Sequence, residues 1–182
     1  MRLRLSPSAL TAFLLSALAA IPVAAAQQAA LPPAPPFGIS NAVEIEPGVL
    51  SAGQPTAEQL KEIQAAGYKS ILDLRAVSEN RGFDEPGVAA SLGLSYQNLP
   101  ITLDTLDAAA VERFREAYKN APRPLLLHCG GAVRTGALYY TYLVLEEKMP
   151  PEAALEKARA AGLKSSAFEE KVKALAPGTG QR

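Results

Sequence analysis

The only cysteine and the only histidine of this 182-residue chain are neighbours, Cys129 and His128. They open the string HCGGAVRTG, in which four residues separate Cys129 from Arg134. A thiol followed by Gly130 and Gly131 and then by a helix start can build an anion site. Glycines let the backbone turn tightly and aim its N–H groups inward, and the helix adds the positive end of its dipole. The same field stabilises a thiolate at Cys129. Gly130, Gly131, Ala132 and Val133 would then line a cradle, and Arg134 would offer a forked pair of donors to two oxygens of a tetrahedral anion. Thr135 is placed to give its hydroxyl proton to the sulfur when an intermediate breaks down. His128 and Gly136 are read as loop-shaping residues, with His128 acting from the strand end rather than as a general base. The bland alternative makes Cys129 a small buried hydrophobe on an ordinary strand-to-helix turn.

The elements that must position this string are legible in the periodicity. Ala42 to Ile45 and Val49 to Ser51 flank Pro47-Gly48 and read as a hairpin or bent strand. Thr56 stands three residues before Gln59, the spacing of a capping box, and opens a helix that Gly67 stops. Strands are expected over Ser70 to Leu74, Leu94 to Leu99 and Pro124 to His128, with helices over Pro86 to Leu92 and Asp104 to Asn120 between them. Three helical segments follow the cysteine loop: Arg134 to Glu147, Pro151 to Ala161 and Ser166 to Ala176. The leucine run before His128 is apolar at every position, as in a strand covered on both faces. Alternating strands and helices predict an α/β fold with a mainly parallel central sheet flanked by helices. In such sheets ligands bind at the carboxyl ends of strands, where Cys129 falls.

Composition narrows the function classes. Arg2 and Arg4, an apolar stretch from Ala9 to Val23 and Ala24-Ala25-Ala26 predict a cleaved secretory signal over residues 1–26. That places the protein in the periplasm or outside the cell, with no stable membrane insertion after cleavage. Residues 27–37, QQAALPPAPPF, read as a proline-rich linker, residues 38–176 as one domain and 177–182 as a flexible tail. Without Arg2 and Arg4 there are 16 basic residues against 18 acidic ones, a balance that points away from nucleic acid. One histidine and one cysteine are too few for the usual zinc ligand sets, so no metal is expected, and no cofactor is needed. Asp73 and Arg75 read as a strand-end ion pair in solvent, and Gln54 in GQP as part of a turn. Tyr139 and Tyr142 fall on one side of a helix and read as core packing.

HCGGAVRTG resembles the signature of the cysteine-dependent tyrosine and dual-specificity phosphatases: His-Cys, five residues, Arg, then Ser or Thr and Gly. The shorter four-residue spacing resembles the bacterial beta-lactamase-hydrolase-like phosphatase domain. The resemblance takes in VLSAGQPTAEQLKEIQAAGYKSILDLR (Val49 to Arg75) and LGLSYQNLPI (Leu92 to Ile101). It implies a protein-tyrosine-phosphatase-like fold and a two-step reaction on a phosphorylated small molecule or protein. Cys129 would form a cysteinyl-phosphate, Arg134 and the loop would hold the oxygens, and an aspartate would protonate the departing alcohol. Asp104, after LPITL, matches that aspartate best and Asp107 is the fallback; either could instead serve a helix start. A four-residue loop also resembles the rhodanese sulfurtransferases, which would carry a persulfide on Cys129. A non-catalytic module that binds a phosphorylated or sulfated ligand is the third reading.

Overall fold

The structure, a computed structural model, describes residues 36–178. The expected signal segment and the linker up to residue 35 lie outside the described residues, as do the last four of the chain. Phe37, in a 3-10 turn at Pro36–Gly38, packs edge-on against Tyr68 with ring centroids 5.9 Å apart.

Strands β1 (Val43–Glu46) and β2 (Val49–Ala52) form the expected antiparallel hairpin, turning at Gly48, whose φ of 75° suits glycine. Helix α1 (Ala57–Ala65) begins with the reciprocal cap that the spacing predicts: Gln59 N donates to Thr56 Oγ1 at 3.2 Å, and Thr56 N donates to Gln59 Oε1 at 2.9 Å. Then follow β3 (Ser70–Asp73), α2 (Glu85–Ser91), β4 (Ser95–Asn98), α3 (Ala108–Asn120) and β5 (Leu125–His128). Helices α4 (Val133–Leu145), α5 (Pro151–Ala160) and α6 (Ser166–Leu175) complete the chain as described.

The five strands make one sheet in the order β1-β2-β5-β3-β4, parallel throughout except for β1. The leucine run lies at its centre. Leu125 and Leu127 face a core shared with Phe114, Tyr118 and Leu138, while Leu126 faces the opposite one with Leu60, Ile63 and Ala89. Alternate side chains of a strand point to opposite faces, so a strand with two covers needs leucine at every position. Tyr139 is buried as expected, and Tyr142 is packed edge-on against Tyr118 at 4.6 Å between centroids.

The register places Ala52, His128 and Asp73 side by side at the carboxyl ends of β2, β5 and β3. The loops leaving those strands must therefore surround Cys129. One element starts later than expected: α3 begins at Ala108, because Asp107 rather than Asp104 takes the cap, its Oδ1 accepting from Ala110 N at 2.7 Å.

Helix α4 seats against the turn between α5 and α6 with no room to spare. A Cβ on Gly136 would stand 2.4 Å from Leu163 N and 2.6 Å from Ala158 O, both backbone atoms that cannot swing aside. Gly136 thus shapes the loop by letting the first turn of α4 sit down. Gly136→Ala is expected to destabilise the domain by about 1–3 kcal/mol in urea unfolding; an unchanged midpoint would contradict this packing.

Candidate active site

The loop after β5 is clamped from both sides. Cys129 N donates to Ala52 O and Gln54 N to Gly130 O, each at 3.3 Å, and Gly131 pairs with Gly53 as an isolated bridge. On the far side, a Cβ on Gly162 would come within 2.7 Å of Ala132 O. The sharp turn is not made by the glycines, as the sequence led us to expect. Ala132 alone in the loop is left-handed, with φ 67°, at the N-terminus of α4, a conformation that costs a non-glycine residue about 1–2 kcal/mol. Gly131 instead leaves space, since a Cβ there would meet nothing within 4 Å.

A cavity of about 340 Å³ opens over the loop, lined by Ile101, Thr102, Leu103, Cys129, Gly131, Val133, Arg134 and Phe168. Cys129 is 1% exposed and forms part of its wall. Of the sequence-predicted cradle residues, Cys129, Gly131, Val133 and Arg134 meet here. Gly130 and Ala132 are not on the wall; Ala132 is buried in the turn.

Arg134 is held by a carboxylate that sequence reasoning missed. Its Nη2 donates to Glu79 Oε2 at 2.9 Å and its Nη1 to Glu79 Oε1, with Ile101 O accepting at 3.1 Å and Leu74 O at 3.4 Å. Glu79 thus grips the outer end of the guanidinium, and none of these contacts uses Nε. The hydrogen bonds from Arg134 pull the Glu79 carboxyl down to about 2, helped by the Ala76 N–H and by Arg75 and opposed by burial. In return Glu79, and more weakly Cys129, raise the pKa of the guanidinium. Two linkages result: Arg134 stays charged, and its partner stays ionised well below neutral pH.

Thr135 departs from expectation. Its hydroxyl is buried, 2.6 Å from Ala132 O and 2.6 Å from Ser51 Oγ, which itself lies 2.9 Å from Ala161 O. Two hydroxyls have two protons for three contacts, so both are used inside this cluster and none is directed at Cys129. Thr135 and Ser51 brace the loop instead.

Behind the loop lies a buried polar network rather than a solvated ion pair. Asp73 is fully buried and Arg75 only 6% exposed. Asp73 binds Arg81, not the Arg75 side chain: Arg81 Nε donates to Oδ2 at 2.9 Å, Tyr96 Oη to the same oxygen at 2.8 Å, and Arg75 N to Oδ1 at 2.8 Å. Gln54 is likewise more than a turn residue, donating to Glu85 Oε2 at 3.0 Å and accepting from Arg75. His128 Nε2 stands 3.0 Å from Glu85 Oε1, both residues fully buried, short of the alignment of a hydrogen bond, and neither atom has a hydrogen-bond partner among the described residues. Asp73, Glu85 and His128 offer ligand atoms within 4.8 Å of one another. Asp73 already accepts four hydrogen bonds, from Arg81, Tyr96 and the Arg75 N–H, and Arg81 supplies the cation, so this donor set does not fit a metal.

The two aspartates separate. Asp107 is committed to its cap, whereas Asp104 is exposed in the turn before α3, lining an open cleft with Leu103, Ala167, Glu170 and Lys171. That cleft adjoins the Cys129 cavity through Leu103, which lines both. Phe168 carries no local signal. The density of charge in DLRAVSENRGFDE, between a strand and a short helix, was the cue for Glu79, Arg81 and Glu85.

Several known proteins share this chain's pattern. A beta-lactamase hydrolase-like protein from Agrobacterium fabrum is 30% identical over 103 residues, which cover 54% of this chain but only 24% of that protein. The chain thus spans about a quarter of the length of that curated relative. Among solved structures, a DUF442 protein from Shewanella putrefaciens superposes with a TM-score of 0.66 at 19% identity, covering 77% of this chain and 93% of the other. TpbA of P. aeruginosa superposes at 0.58 with 20% identity, covering 76% and 84%, and a cysteine-to-serine form of TpbA has been solved with pTyr. The fold is thus that of the protein-tyrosine-phosphatase-like enzymes. Residues 39–174 match the family described as DSP-PTPase phosphatase fused to NAD+ kinase, and the chain belongs to that family.

Proposed function

We propose that this protein is an exported, cysteine-dependent phosphatase that hydrolyses a phosphomonoester on a small molecule or a protein through a cysteinyl-phosphate. One observation carries the reading: Cys129 and Arg134 share the wall of one cavity, with Glu79 holding the outer end of the guanidinium. The phosphatase family and fold add support. They also weigh against the sulfurtransferase reading, for which the four-residue spacing remains the sole support. The pTyr complex of TpbA supports a phosphorylated substrate. Export is supported by the sequence of residues 1–26.

In the first step the Cys129 thiolate attacks phosphorus, an S–P bond forms and the P–O bond to the leaving alcohol breaks. The loop N–H groups and the Nε edge of Arg134 hold the phosphoryl oxygens as charge shifts among them. Asp104, the acid in this scheme, gives its proton to the departing oxygen. In the second step water attacks phosphorus, its proton passes to the Asp104 carboxylate, and the S–P bond breaks to release phosphate and restore the thiolate.

Cys129→Ser should bring phosphate release from p-nitrophenyl phosphate to background while the wild type forms no thiocyanate from thiosulfate and cyanide. Release unaffected by the change would overturn the mechanism. Asp104→Asn should lower kcat on an alkyl phosphate by about 10²-fold and far less on p-nitrophenyl phosphate, whose leaving group needs no proton. Asp107→Asn, which keeps the cap, should leave both unchanged. Equal losses on the two substrates would remove Asp104 from the acid role.

The Glu79 pair sets a pH dependence. A carboxylate depressed to about 2 from an ordinary 4.5 contributes stability in full above the higher value and loses it as pH falls through the lower. The melting-temperature gap between wild type and Glu79→Gln should therefore be constant from pH 7 to about 5 and close as pH approaches 2. A gap that widens in acid would contradict the pairing.

A further inference from the structure

A continuous chain of side chains runs from the residue before the nucleophile to the arginine that ends the cradle. His128 Nε2 faces Glu85 Oε1 at 3.0 Å, and Glu85 Oε2 accepts from Gln54 Nε2 at 3.0 Å. Gln54 Oε1 accepts from Arg75 Nη1, and Arg75 Nε donates to Glu79 Oε2 at 3.2 Å. Glu79 Oε2 also accepts from Arg134 Nη2 at 2.9 Å. His128 and Arg134 are joined covalently through Cys129 to Val133, so the chain closes into a ring of which the cradle is one side.

Three features make this ring more than a filled gap. A buried carboxylate such as Glu85 is costly unless its oxygens are matched; Gln54 and His128 face them, with the Arg81 guanidinium 3.6 Å from Oε2 supplying the charge. Gln54 sits between a cation and an anion, accepting at one end and donating at the other, which an amide can do and a carboxylate or an ammonium cannot. And both ends of the ring are fixed points of the anion site: His128 is the last residue of β5 before the sulfur, and Arg134 supplies the guanidinium.

We propose that Gln54 and Glu85 are positioning residues of the anion site, coupling the strand end at His128 to the guanidinium of Arg134. A break anywhere in the ring uncouples the two ends, although Arg134 keeps its bonds to Glu79, Leu74 O and Ile101 O and His128 its place in the sheet. The inference rests on the phosphate reading of the cradle given above, but not on turnover.

The test is protection of Cys129 from iodoacetamide by inorganic phosphate at fixed pH, in wild type, Glu85→Gln, Gln54→Met, Glu79→Gln and the double variant Gln54→Met/Glu79→Gln. Each single change should weaken phosphate protection roughly tenfold, and the double should be no weaker than Glu79→Gln alone, since both break one ring. Gln54 is only half-buried, so its methionine variant keeps the test in hand even if Glu85→Gln does not fold. Losses that multiply in the double variant would overturn the proposal, as would wild-type protection in folded Gln54→Met. A wild type protected by phosphate but without turnover would sink the phosphatase reading and leave the ring standing. A wild type without protection would sink both.

Discussion

An anion site built on one guanidinium needs that group held still while part of it stays free, and the Glu79 contact does this for Arg134. The carboxylate takes the outer end of the fork, and the carbonyls of Leu74 and Ile101 add further acceptors to Nη1. Glu79 is itself fixed by the Ala76 N–H at 2.7 Å and by Arg75. Its side chain is 31% exposed, so solvent screens the pair and its contribution is geometry more than stability. A flexible arginine must lose rotamer freedom to hold a ligand; Arg134 is already ordered by its neighbours.

The rest of the fold serves the same end. Parallel pairing puts the ends of β2, β5 and β3 in line, so the loops leaving β2 and β3 flank the one that carries Cys129. The loop from β2 pins the backbone of Gly130 through Gln54 N, and the loop from β3 brings the carboxylates and arginines. The α5–α6 turn presses on Ala132 through Gly162, a contact that keeps the left-handed alanine in place. With only four residues between Cys129 and Arg134, the turn is tight enough to need that strained residue. The surrounding contacts over-determine it, as such strain requires.

Much of this was legible in the chain. The thiol, the arginine and the strand-to-helix turn between them follow from one string of sequence, and so does the leucine strand that carries them. The errors share a cause. Adjacency points Thr135 at the sulfur, yet its hydroxyl lies 2.6 Å from that of Ser51, 84 positions away. Asp73 and Arg75 read as a pair because residues two apart share a strand face, but β3 ends at Asp73; Arg75 lies in the loop beyond, where its side chain binds Gln54 and Glu79, and Asp73 binds Arg81. The start of α3 shifted because either Asp104 or Asp107 could cap, and Thr102 and Thr105 bond each other in a turn ahead of it.

The sequence by itself determined what acts over a few residues: the Thr56 and Gln59 cap, the two-sided burial of Leu125 to Leu127, the order of strands and helices, and the thiol at a strand-to-helix turn. Hydrogen-bonded caps and periodicity reach only three or four positions, so they are written in the chain. Only the tertiary structure decided who holds whom. Glu79 lies 55 positions before Arg134, and Gln54 lies 31 before Glu85. Those partners meet because parallel strands bring their carboxyl ends together, a condition that exists once the whole sheet has formed.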